Sequence, residues 1–72
     1  MRKINILTHN NKIQTISFNI KKDLLNFICF NTTISKEHST DKVANIIWNL
    51  NVGSMYFCCG YRFSIVSKRE VA

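Results

Sequence analysis

The stretch Met55-Tyr56-Phe57-Cys58-Cys59-Gly60-Tyr61-Arg62-Phe63-Ser64-Ile65-Val66 decides how this chain folds. Aromatic and aliphatic residues run on both sides of a lone glycine, the pattern of two strands joined by a tight turn. With Cys59-Gly60 as a two-residue turn, Tyr56, Cys58, Tyr61, Phe63 and Ile65 share one face, and Met55, Phe57, Arg62, Ser64 and Val66 share the other. Gly60 supplies the positive φ that such a turn needs, and the tyrosine face is expected to anchor the hairpin on the core.

Working outward, residues 3–8 (KINILT) and 13–18 (IQTISF) alternate apolar with polar side chains and read as a second, N-terminal hairpin. A three-residue loop, Asn10 to Lys12, would pair Ile6 with Ile16 and Ile4 with Phe18 and bury one face, so that register is expected. Between the hairpins, residues 19–31 place Ile20, Leu24, Phe27 and Ile28 at helical spacing, with Leu25 and Cys29 beside them and Asn19 as the cap. After a polar link, TTISKEH, residues 39–51 carry Ser39 or Thr40 as a cap and Asp41 in the first turn. Val43, Ile47 and Leu50 form an inward stripe there, widened by Ala44 and Trp48. The expected fold is α+β: an N-terminal β-hairpin, two helices and a C-terminal β-hairpin in one small domain, residues 1–72. Tyr56, Tyr61 and Phe63 are expected to pack on Leu24, Ile28 and Ile47.

Ten Lys and Arg against four Asp and Glu give a formal net charge of +6, which favours anionic partners, nucleic acid first among them. The basic residues include three adjacent doublets, Arg2-Lys3, Lys21-Lys22 and Lys68-Arg69. Two glycines, no proline and a high apolar content argue for a folded chain. Neither a secretory leader nor a run approaching the roughly 18 apolar residues of a membrane span is visible. Three cysteines cannot all pair, and the neighbours Cys58 and Cys59 would bridge only under strain. The thiols therefore read as structural, buried or half-buried groups in a cytoplasmic protein with no membrane contact.

Catalytic vocabulary is sparse. His9 and His38 have no sequence-defined relation to the cysteines, there is no Cys-x-x-Cys spacing, and neither a Gly-rich phosphate loop nor a carboxylate pair is present. The sequence predicts no enzyme, no metal and no cofactor.

Four short motifs occur in an order that resembles the winged-helix DNA-binding domain of the OmpR/PhoB and CadC/ToxR-like transcriptional regulators. They are Leu24-Leu25 in the first helix, Ile34-Ser35-Lys36-Glu37 in the link, Ile47-Trp48 in the second helix and Gly60-Tyr61-Arg62-Phe63 in the closing hairpin. The family has three helices between its sheet and its wing, so residues 39–51 stand for either its second helix or its recognition helix. In the latter case the resemblance implies a groove-facing surface of Lys42, Asn45 and Asn49, with asparagine suited to adenine and lysine to phosphate or guanine. On the wing, Arg62 is positioned for a phosphate or a minor groove, and Lys68 and Arg69 extend the positive edge.

Two functions from different classes follow. The first is a small basic DNA-binding, transcription-regulatory protein of winged-helix type. The second is an interaction protein of the kind that phages and mobile elements use to inhibit a host protein complex, with Tyr56 or Phe57 as anchors. A homodimer is a further arrangement compatible with so short a chain.

Overall fold

A computed structural model describes residues 1–8 and 10–69 of the chain. The elements run β1 (Arg2–Leu7), β2 (Ile13–Phe18), α1 (Lys21–Asn31), a 3-10 turn (Ile34–Lys36), α2 (Thr40–Trp48), β3 (Met55–Cys58) and β4 (Tyr61–Lys68). This is the expected α+β order of hairpin, two helices and hairpin. The two hairpins merge into one antiparallel sheet of order β2-β1-β4-β3, with Ile6 opposite Phe63 and Ile4 opposite Ile65 across the central pair.

The closing hairpin turns on Cys59-Gly60, with Cys58 opposite Tyr61. Cys59 (φ 52°) and Gly60 (φ 84°) both take the left-handed conformation of a type I′ turn. Cys59 accepts a conformation that costs a residue with a Cβ about 1–2 kcal/mol. Gly60→Ala should add a similar cost and lower the denaturant midpoint. An unchanged midpoint would mean that the turn does not constrain the hairpin.

The first hairpin departs from the expected register by two residues. Ile4 faces Ile16, Ile6 faces Gln14 and Arg2 faces Phe18. The Thr8 amide donates to the Lys12 carbonyl at 3.0 Å and the Asn11 amide to the Thr8 carbonyl at 3.1 Å, so Lys12 lies opposite Thr8 and outside the loop rather than within it. A two-residue slip keeps every side chain on its face, so burial alone does not choose between the registers. The choice falls to the turn: Asn11 takes φ 58°, which asparagine tolerates better than most residues.

Both helices cover one face of the sheet. Ile4, Ile6, Phe18, Phe63, Ile65 and Tyr61 from the strands meet Leu24, Ile28, Val43, Ala44 and Ile47 from the helices, with Tyr56, Phe27 and Trp48 half-buried around them. Phe18 and Phe27 stack edge to face at 5.7 Å. The Cα radius of gyration, 11.3 Å, matches the roughly 11 Å of a close-packed chain of this length.

Four local expectations need correction. The chain is still extended at Ile20 (φ −134°, ψ 161°), so Ile20 rather than Asn19 precedes the helix, and its side chain leaves the apolar stripe for solvent. The link is not wholly polar, because Ile34 is fully buried and the 3-10 turn drives it into the core. Cys29 lies on the exposed side of α1 rather than in or beside the core. The second helix is Thr40–Trp48, shorter than residues 39–51, and although Ser39 is its cap, it makes no side-chain cap hydrogen bond.

Candidate nucleic-acid interface

Antiparallel pairing decides which basic residues meet. β1 begins at Arg2 and β2 ends at Phe18 opposite it, while Lys68 near the end of β4 pairs with Arg2 from the other side. The Arg69 amide also donates to the Met1 carbonyl at 2.7 Å. α1 starts three residues after Phe18, with Lys21 and Lys22 in its first turn. The three basic doublets therefore converge on one end of the sheet, although they are scattered in sequence. Lys3, Lys21, Lys22 and Arg69 are exposed there and Lys68 is half-buried.

Arg2 has a structural part at this end. Its Nε donates to the Trp48 carbonyl at 2.9 Å, and its guanidinium lies 4.1 Å from the centroid of the Trp48 ring. One side chain thus satisfies a carbonyl at the α2 C-terminus and stacks on the indole. This ties α2's last turn to the basic end. Lys21 and Lys22 run against helix energetics, since cations at a helix N-terminus oppose its dipole, and Asp23 is the only acid in that turn. The cap residue makes no side-chain hydrogen bond, and the Asp23 amide donates to the Ile20 carbonyl at 3.1 Å.

The expected contact residues divide. Asn45 and Asn49 belong to the basic end: Lys21 Nζ donates to Asn45 Oδ1 at 3.4 Å, and Asn49 Nδ2 donates to the Asn45 carbonyl at 2.8 Å. Lys68 and Arg69 lie there as well. Lys42 shares the exposed side of α2 but sits in its first turn, towards the opposite end. Arg62 is remote from all of them. It follows the β3–β4 turn, opposite Leu7 and Phe57, on the face of the sheet that no helix covers. Lys3, Lys21 and Lys22 also lie at this end, and the doublets are the sequence signal that marks them.

The helix-free face has a different character. Ile13 is 60% exposed, Phe57 69% and Met55 53%, with Val66 also open to solvent and Leu7 and Arg62 half-buried between them.

At the turn end, His38, Cys58 and Cys59 present donor atoms all within 4.8 Å of one another, although sequence gave no means of bringing them together. Cys59 Sγ donates to Glu37 Oε2 at 3.3 Å. Partial burial first, then the hydrogen bonds to Glu37 and Cys58 and the negative charge around it, push the Cys59 thiol up to about 12. A thiol held protonated in this way is a poor nucleophile. Tyr56 is also raised, by desolvation and then by Cys58. Among the described residues no pocket opens and no helix is long and apolar enough to cross a membrane.

No family model, no curated protein and no solved structure matches the chain.

Proposed function

We propose that the protein is a non-enzymatic, cytoplasmic DNA-binding protein of regulatory type that grips the phosphate backbone with its basic end. The observation that carries this reading is the convergence of Arg2-Lys3, Lys21-Lys22 and Lys68-Arg69 at one end of the sheet. Phosphate contacts supply most of the sequence-independent affinity for a duplex, and cations clustered at one end of a small domain suit that role. Asn45 and Asn49, beside Lys21, have the chemistry to read a base edge. On this reading α2 takes the part of the winged-helix recognition helix.

The test is titration of duplexes of unrelated sequence at low salt. Lys21→Ala and Lys68→Ala should each weaken binding to all of them by similar factors and flatten the salt slope by about one unit. Arg62→Ala, at the far end and on the other face, should change neither. Asn45→Ala should shift preference between sequences more than overall affinity. Equal losses from Arg62→Ala and Lys21→Ala would move the interface away from the basic end.

A second reading rests on the helix-free face. Ile13, Leu7 and Phe57 lie in one row with Arg62 across the sheet, with Met55 exposed two residues before Phe57, a composition closer to a protein-binding surface than to a phosphate-binding one. A host protein complex or a second copy of the chain would dock there. Failure to bind duplex, together with association that Phe57→Ala abolishes, would favour this reading.

A further inference from the structure

We propose that Cys58, Cys59 and His38 form a three-donor site for a thiophilic divalent metal of the zinc class, clamping the β3–β4 turn to the segment that leads into α2. The Cys58 and Cys59 sulfurs are 3.7 Å apart. Two thiolates bound about 2.3 Å from one zinc at the tetrahedral angle stand roughly 3.8 Å apart, so the pair already has the required spacing. Adjacent cysteines seldom present both sulfurs to one point. Here the left-handed backbone of Cys59 does so by reversing the chain immediately after Cys58.

The third donor comes from the link before α2. The His38 donor atom lies within 4.8 Å of both sulfurs, against roughly 3.6 Å for an imidazole and a thiolate sharing a zinc. His38 is exposed, and turning its ring closes that gap without disturbing the core. Glu37 Oε2 accepts from Cys59 Sγ at 3.3 Å at the edge of this group, and water completes the tetrahedron. Two sulfurs and one nitrogen make a donor set suited to zinc rather than to magnesium or calcium, which favour oxygen. On binding, each thiol releases its proton to solvent and the sulfur lone pair forms the metal bond.

The three donors come from the β3–β4 turn and from the segment before α2, so the bound metal braces two parts of the chain that are distant in sequence. Chains of this size commonly add such a clamp to a modest core. The site is at the opposite end from the basic doublets and stands independently of DNA binding.

Cobalt(II) is the probe, added to the chelator-treated, reduced full-length protein. The expected result is the intense visible spectrum of tetrahedral cobalt with thiolate charge-transfer bands, saturating at a single equivalent and bleached by zinc. Zinc should also raise the thermal midpoint, and chelator should reverse the rise. His38→Ala, at an exposed position that leaves the core intact, should weaken cobalt binding roughly tenfold or more, since losing even a group behind a ligand typically costs that much. Cys59→Ser should remove most of the charge-transfer intensity, and Cys29→Ser should leave the spectrum unchanged. Weak octahedral bands, undiminished affinity in His38→Ala, or dependence of the bands on Cys29 would each overturn the proposal.

Discussion

Phe63→Ala should destabilise the protein by about 3–5 kcal/mol, the cost of emptying a large buried aromatic site. Phe63 is fully buried in the middle of β4, facing Ile6 on one side and Tyr56 on the other, with the Tyr61 ring 6.5 Å away. It sits where the two hairpins and the helix layer meet, so neighbouring side chains have little scope to collapse into the space. A chain of this length has a total stability of roughly 4–11 kcal/mol, so the substitution should remove a large share of it. Phe57→Ala, one residue before Cys58 and on the exposed face, should stay within about 0.5 kcal/mol of the parent. Denaturant midpoints of the two variants settle the matter. Similar losses from both would mean that the covered and open faces of the sheet have been exchanged.

The second large effect concerns binding. Replacing Lys3, Lys21, Lys22 and Lys68 together with alanine should cut duplex affinity about 10³- to 10⁴-fold near 0.1 M salt. The figure follows from counterion release, which at that concentration is worth roughly eightfold for each phosphate contact. Three of the four side chains are exposed and Lys68 is half-buried, so the variant should keep its fold and its far-ultraviolet spectrum. The matched control replaces Lys12, Lys36, Lys42 and Arg62, cations outside the cluster, and removes the same charge. A comparable loss in the control would show that net charge alone drives association and that the basic end has no special part.

How far the sequence reveals this architecture depends on the range of each interaction. The closing hairpin is legible because Cys59-Gly60 carries its own turn chemistry and the flanking residues alternate cleanly. The stripe of Val43, Ala44 and Ile47 is legible because helical spacing is local. The first hairpin shows the limit: its faces follow from alternation, but its register follows from Asn11 taking a left-handed conformation, which alternation does not encode. Ile34 hides in a polar link because a single apolar residue has no periodicity. The pairing of β1 with β4 joins residues more than fifty positions apart and leaves no local trace, yet it brings Lys68-Arg69 to Arg2-Lys3. The same reasoning applies to the cluster at the other end. His38 reaches Cys58 and Cys59 only because α1 and its 3-10 turn return the chain to the tip of the second hairpin. Without Cys-x-x-Cys spacing, no short motif announces it.

The most direct test of the central claim is the affinity of the parent protein for a duplex of arbitrary sequence, measured across a series of salt concentrations. If the basic end grips the phosphate backbone, log affinity should fall linearly with log salt at a slope of about −3 to −5, as expected for the counterions released by the exposed cations gathered there. No binding at low salt, or binding with a slope near zero, would contradict it.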